Sequence, residues 1–293
     1  MQELRDELVR TYTTDGGASV RVVSATGLVR EAARRHGTSP TATVALGRAL
    51  MGTLLLATGG QDGERVQLHV RGDGPLGSIV VTADSDGAVR GYVQHPGANP
   101  PLRGEELGIC DAVGFGTFSV ERNHASWKRP YTGVVPIVEG EIAQDMARYL
   151  LESEQKPSTV ALGIYLSPDG EVEAAGGYLI QSLPGAEDTA LAALEAHVSE
   201  NLHPSELVRK GLSAGDILDR LLAGIGGGDR DGIDPRFACP CSLERVRRAA
   251  TLLGRVELRE IAEQGEPLEL RCHFCAEMWR LAPDEVGSLL PDA

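Results

Sequence analysis

Residues 66–93 read VQLHVRGDGPLGSIVVTADSDGAVRGYV, and this stretch decides the fold class. Val66, Leu68 and Val70 alternate with Gln67, His69 and Arg71, the period-two pattern of a strand with one buried face. Ile79-Val80-Val81 and Val89-Arg90-Gly91-Tyr92-Val93 flank Asp84-Ser85-Asp86-Gly87, which predicts a hairpin. Toward the N-terminus the pattern turns helical. Ser39 followed by Pro40 marks the start of a helix running to about Ala57, preceded by a strand near 19–27 that leads into a helix at 28–36. Toward the C-terminus, strands are predicted at 116–121 and 133–137, then a helix at 141–155 with Ile142, Met146, Tyr149 and Leu150 on one face. A second hairpin follows from 159–166 and 172–182 across Ser167-Pro168-Asp169-Gly170. Strands arrive in antiparallel pairs and helices in groups, so the class is α+β.

Beyond Leu183-Pro184-Gly185 the character changes. Residues 186–222 carry no strand pattern, and Leu191, Leu194 and Val198, then Leu207, Leu212, Ile217, Leu221 and Leu222, repeat at helical spacing. Pro204 starts the second helical stretch, and Gly224 to Gly228 end it before the polar joint Asp229-Arg230-Asp231-Gly232. Two readings of this region stand: a helical hairpin closing the core, or a metastable linker that is helical only while docked. The sequence thus divides into a 1–185 α+β core, a 186–232 helical linker and a 233–293 C-terminal module.

The C-terminal module carries Cys239-Pro240-Cys241 and Cys272-His273-Phe274-Cys275, two close pairs with a thirty-residue spacer. Four thiolates surround one zinc ion tetrahedrally and leave no coordination position for water, so a catalytic zinc is disfavoured. The expectation is one Zn²⁺ per chain held by Cys239, Cys241, Cys272 and Cys275, with His273 pointing outward. About 60 residues with few large apolar groups fold poorly alone, and a structural zinc contributes on the order of 10–16 kcal/mol near neutral pH. Arg236, Arg245, Arg271 and Arg280 lie close enough in sequence to temper the thiolate charge. Thiolates are also the form that oxidants attack, so a site built from such pairs can act as a switch as well as a staple.

A net charge of −14 repels nucleic-acid phosphate and argues against DNA, RNA and zinc-ribbon nucleic-acid binding. The N-terminus, Met1-Gln2-Glu3-Leu4-Arg5-Asp6-Glu7, has no apolar signal region, and the longest apolar run, near 50–57, is too short for a bilayer. A cytoplasmic protein without membrane contact is expected, and in that compartment clustered cysteines bind metal or act in redox chemistry. Cys110 stands alone and reads as a buried or incidental thiol.

No other motif argues for an enzyme. Glu121-Arg122-Asn123-His124 reads as a solvated strand end, and Glu152, Glu154 and Lys156 as an exposed helix end. Gly224-Ile225-Gly226-Gly227-Gly228 lacks the lysine and hydroxyl residue of a phosphate loop. A thioredoxin-like role for Cys272 and Cys275 lacks the βαβ context. The competing functions are a constitutive structural zinc module that docks a partner protein, and a thiol oxidoreductase.

The chain resembles the 33-kilodalton redox-regulated heat-shock chaperone family of bacteria over nearly its whole length. The resemblance rests on Gly87-Ala88-Val89-Arg90-Gly91-Tyr92, on Tyr131-Thr132-Gly133-Val134-Val135 before Gly140-Glu141-Ile142-Ala143, and on Ser153-Glu154-Gln155-Lys156-Pro157-Ser158. It extends through Ala174-Ala175-Gly176-Gly177-Tyr178-Leu179-Ile180-Gln181 and Leu183-Pro184-Gly185-Ala186 to the cysteine pattern. It implies an ATP-independent holdase for unfolded or partly folded clients, zinc-bound and inactive when reduced, active after oxidation and unfolding. It further implies zinc ligation by Cys239, Cys241, Cys272 and Cys275, oxidised pairs Cys239–Cys241 and Cys272–Cys275, and a homodimer on activation.

Overall fold

The computed structural model describes residues 5–102, 104, 107–184 and 203–289. The alternating run of residues 66–70 is β3 (Arg65–Gly72), with Val66, Leu68 and Val70 buried. It lies between β4 (Ser78–Asp84) and β6 (Gly116–Asn123), both antiparallel, with Leu68 opposite Val81 on one side and Val120 on the other. β5 (Ala88–Val93) closes the predicted hairpin with β4, and β7 (Tyr131–Ile137) pairs with β6. The predicted C-terminal hairpin is β8 (Ser158–Leu166) with β9 (Val172–Ser182). β9 pairs with β2 (Ala18–Ser24), which pairs with β1 (Glu7–Tyr12), a strand the sequence reading did not include.

Between the two sheets runs α2 (Pro40–Ala57), packed on β3, β4 and β5 from one side and β2, β8 and β9 from the other. The Ser39 hydroxyl accepts the Ala42 N–H at 3.1 Å, and Pro40 fills the first turn, as their order predicts. Leu46, Leu50, Met51, Leu54 and Leu55 are all buried, so the helix is apolar on every side because it has no solvent side. By length and composition it could cross a bilayer, contrary to the shorter run read from sequence. With 89% of it buried inside the protein, it is a core helix. α1 (Thr26–His36), the short α3 (Ile109–Val113) and α4 (Ala143–Glu152) complete this core, with Met146, Tyr149 and Leu150 inward as expected.

The outer face of the β1–β2–β9 sheet is covered as well. α5 (Pro204–Arg209) and α6 (Ala214–Leu221) lay Leu207, Val208, Ile217, Leu218 and Leu221 against Val9, Val20, Val22, Tyr178 and Ile180. The stretch predicted as one helix is two, because Ser213 caps α6 reciprocally with Asp216 and restarts the chain direction. The helical expectation around Leu191, Leu194 and Val198 lies outside the described residues.

The expected loose joint at 229–232 is instead tied down. β10 (Asp231–Ile233) adds to the outer edge of β1, and β11 (Arg236–Phe237) pairs in parallel with β5. The final orders are β10-β1-β2-β9-β8 and β11-β5-β4-β3-β6-β7. An open edge of β1 would present unpaired backbone groups, and the polar joint satisfies them. Arg10 to Asp231 at 3.2 Å and Arg5 to Asp234 at 2.8 Å add side-chain ties. Phe237 packs on His36 and under Arg35.

Two polar readings are corrected by packing. Arg122 and Glu154 are not solvated: Arg122 binds Glu64 at 2.9 Å and Glu154 at 2.7 Å, and both carboxylates are nearly buried. Tyr149 Oη donates to Glu154 at 3.0 Å and Lys156 reaches its other oxygen at 3.0 Å. Burial opposes the Glu154 charge, but Arg122 and Lys156 outweigh it and hold the carboxyl below its usual range.

Compactness divides the chain into a first unit ending at Phe237 and a second beginning at Ala238. The second contains α7 (Leu243–Ala250), a 3-10 turn (Thr251–Leu253), α8 (Arg255–Gln264), the hairpin β12 (Leu268–Arg271) and β13 (Met278–Leu281), and α9 (Pro283–Ser288). Its buried apolar cluster is Ala250, Leu258, Leu281 and Val286, a very small core for such a length of chain.

Candidate metal centre

The second cysteine pair is placed by a hairpin turn. β12 ends at Arg271, Cys272 N–H donates to Glu277 O at 2.9 Å, and Ala276 N–H donates to Cys272 O at 2.8 Å. Ala276 takes φ +58°, the left-handed value that reverses the chain within this span. Cys272 and Cys275 therefore face the same side of the turn. The first pair sits on irregular chain directly before α7, whose N-cap is Ser242, accepting Arg245 N–H at 3.3 Å. That cap stops the helix from starting earlier, so Cys239 and Cys241 lie on non-helical backbone.

The two pairs meet. Cys239 Sγ lies 3.8 Å from Cys272 Sγ, and Cys241 Sγ lies 3.4 Å from Cys275 Sγ. All four sulfurs lie within 4.8 Å of one another. A tetrahedron with metal–sulfur bonds of about 2.3 Å has edges of about 3.8 Å, so the donor set and its spacing fit zinc. Among the described residues this is the one group of three or more cysteine, histidine or acidic side chains arranged to hold a metal. His273 is exposed, as expected of a turn residue between ligands.

Without metal, burial pushes the Cys239, Cys241 and Cys275 thiols up to about 11. Cys272 moves the other way: burial opposes its charge, but the N–H groups of Cys275 and Phe274 aim at its sulfur and lower it. Burial thus favours the thiol form at three of the four sulfurs, and a metal bound there would displace protons. Arg236 pairs with Asp86 at 2.6 Å, and Arg280 pairs with Glu269 at 2.8 Å across the hairpin. Cys110, half-buried on α3, takes no part in the cluster.

Geometry also bears on the oxidoreductase alternative. Cys272 and Cys275 sit between two antiparallel strands, and the next helix begins only at Pro283, so no helix N-terminus activates the pair.

Known proteins are similar to this chain. The family model described as "Hsp33 protein" matches residues 6–282. A "33 kDa chaperonin" of Thermus thermophilus is 44% identical over 94% of this chain and 85% of its own length. Another, of Symbiobacterium thermophilum, is 43% identical over 97% of this chain and 96% of its own. The crystal structure of the 33 kDa chaperonin of Thermotoga maritima superposes with a TM-score of 0.90, at 30% identity and 98% coverage of both chains. A match of this length, joined to the α+β core and the four-cysteine cluster, makes the chain a member of the Hsp33 family of chaperones.

Proposed function

We propose that the chain is an ATP-independent holdase, switched on by oxidation of Cys239, Cys241, Cys272 and Cys275. The observation that carries this reading is the contrast between a four-sulfur cluster and the small apolar core that the described residues of its unit form. Bound zinc would keep the sulfurs as thiolates and add folding free energy on the order of 10–16 kcal/mol. Three organisational parts are proposed: a 1–185 core, a 186–232 linker and a 233–293 switch, the last beginning in a segment that pairs with the core sheets.

The switch follows from thiol chemistry. One peroxide would oxidise each near-neighbour pair of thiolates: one S–S bond forms, the O–O bond breaks, and two waters leave with two protons taken from solvent. The proposed pairs are Cys239–Cys241 and Cys272–Cys275. Each of these pairs already lies within 4.8 Å, well beyond an S–S bond of about 2.05 Å, so forming them would draw the sulfurs out of the cluster's present spacing. Without its ligands the second unit keeps little apolar burial to hold it. Loosening that spreads to α5 and α6 would bare the apolar outer face of the five-stranded sheet. Unfolded or partly folded clients are the proposed partners, with a homodimer in the active state and the cytoplasm as the setting.

Zinc release and client aggregation, followed together during peroxide treatment at mild heat, decide the matter. One zinc lost per chain as thiols disappear, followed by suppressed aggregation, supports the switch. Retained metal, or metal loss without antiaggregation activity, reduces the cluster to a structural clamp.

A further inference from the structure

A cavity of about 440 Å³ opens beside the C-terminal end of α2, away from the cysteines in sequence and function. Its walls include Arg21, Arg122, Glu64, Glu154, Lys156 and Trp127. The two carboxylates are already engaged, Glu64 by Arg122 and Glu154 by Arg122 and Lys156. Arg21 differs from the others. It is 7% exposed, yet among the described residues no carboxylate pairs with it. Its Nη1 donates to Leu55 O at 3.1 Å and its Nη2 to Ser19 Oγ at 3.1 Å. Those bonds use two of five guanidinium N–H donors.

A plain structural account is that Arg21 caps the negative end of α2, and the Leu55 bond is that cap. It leaves a buried cation short of a counter-charge, in a protein whose net charge is −14. Burial first, then Arg122, push Arg21 down to about 10, and Tyr12 and the more distant Glu154 offset this only in part. Gly59 makes room: a Cβ there would overlap the guanidinium, so the absent side chain lets Arg21 lie along the cavity wall. Of the titratable side chains lining the cavity interior, three cations face two carboxylates, and the surplus charge is on Arg21.

The geometry points to an oxyanion-binding site in this cavity, with Arg21 as the anchoring cation and Lys156 at its rim, for a small phosphate- or carboxylate-bearing ligand. A guanidinium with free N–H donors in a partly dehydrated wall matches the oxygens of either group.

Trp127 lines the cavity and is one of two tryptophans, so a W279F background leaves a single reporter at the site. Its fluorescence and the melting temperature are to be followed against inorganic phosphate, sodium acetate, and sodium chloride at matched ionic strength. A saturable response to phosphate alone assigns a phosphoryl ligand, and one to both oxyanions assigns any oxyanion; each supports the site. Lys156→Gln should weaken binding by about 3- to 10-fold through loss of one charge. Lys210→Gln, remote and exposed, should leave it unchanged. Arg21→Gln should abolish binding. If that variant does not fold, the Lys156→Gln titration and the chloride control decide alone. A response to chloride equal to that of phosphate and acetate, or an unchanged Lys156→Gln titration, overturns the proposal.

Discussion

The first unit and the second hold themselves together by opposite means. Up to Phe237, α2 is buried between two sheets among Leu46, Leu50, Leu54, Leu68, Val81 and Phe118, and each sheet is extended at one edge, by β10 and β11. From Ala238 the chain has Ala250, Leu258, Leu281 and Val286, plus four sulfurs within 4.8 Å. Burial of apolar area is insensitive to oxidants, whereas a thiol cluster is not. On the proposed function, the stable core and the oxidant-sensitive cluster would lie in different units. The outer cover, α5 and α6, sits between these extremes: well packed, but attached to one face of one sheet.

Removing metal should break the contrast most strongly. A chelator, or Cys272→Ser, is expected to unfold the second unit while the first keeps its cooperative melt, because binding energy on the order of 10 kcal/mol is withdrawn from one unit only. Hydrogen exchange resolved by segment checks this. Equal protection on either side of Ala238 after zinc removal would sink the comparison.

The converse is Leu50→Ala in α2, fully buried, which should cost about 2–5 kcal/mol. The loss should appear in the melt of the first unit with zinc affinity unchanged, measured by competition with a chromogenic chelator.

Glu154→Gln breaks a buried ion pair and should destabilise the first unit by about 3 kcal/mol at neutral pH. The folded-state pKa of Glu154 is depressed, so its contribution is present above the unfolded value, about 4.3, and is lost as pH falls through the folded value. The variant should therefore show a flatter acid limb in urea midpoint against pH. An identical limb in both proteins would return Glu154 to the solvent.

Ile217→Ala, at the base of the α6 cover, should cost about 2 kcal/mol locally. If this cover shields the client surface, the reduced variant should suppress aggregation at lower peroxide than the parent. The smallest effect is Ser213→Ala, which removes one side of a capping box and should cost about 1 kcal/mol. Peptide-resolved exchange at residues 214–221 should report it, with no change in the second unit.

Much of this was legible beforehand, for reasons visible at particular residues. The run from Val66 to Val70 could only be half-buried alternation, and Ser39-Pro40 could only open a helix usefully. The cysteine quartet was legible because four thiols in two close pairs have few other uses in a protein of this charge. The reading failed where a polar residue was priced as solvated. Arg122 and Glu154 look like exposed ends in a linear chain, but residues 64, 122 and 154 come from three distant stretches of chain that meet only after folding. The polar joint at 229–232 failed for the same reason: nothing in its composition shows that β1 has an open edge needing a partner.

Sequence alone determined the α+β class, the hairpins, the capped helix, the cysteine cluster and the family likeness. Each of these depends on spacing along the chain, which local sterics and metal-ligand chemistry convert directly into structure. Only the tertiary structure decided that α2 is sandwiched, that α5 and α6 cover an apolar sheet face, and that Arg21 is buried without a carboxylate. Those facts depend on which distant residues share a neighbourhood, and burial and charge pairing take their energies from that neighbourhood rather than from the order of the chain.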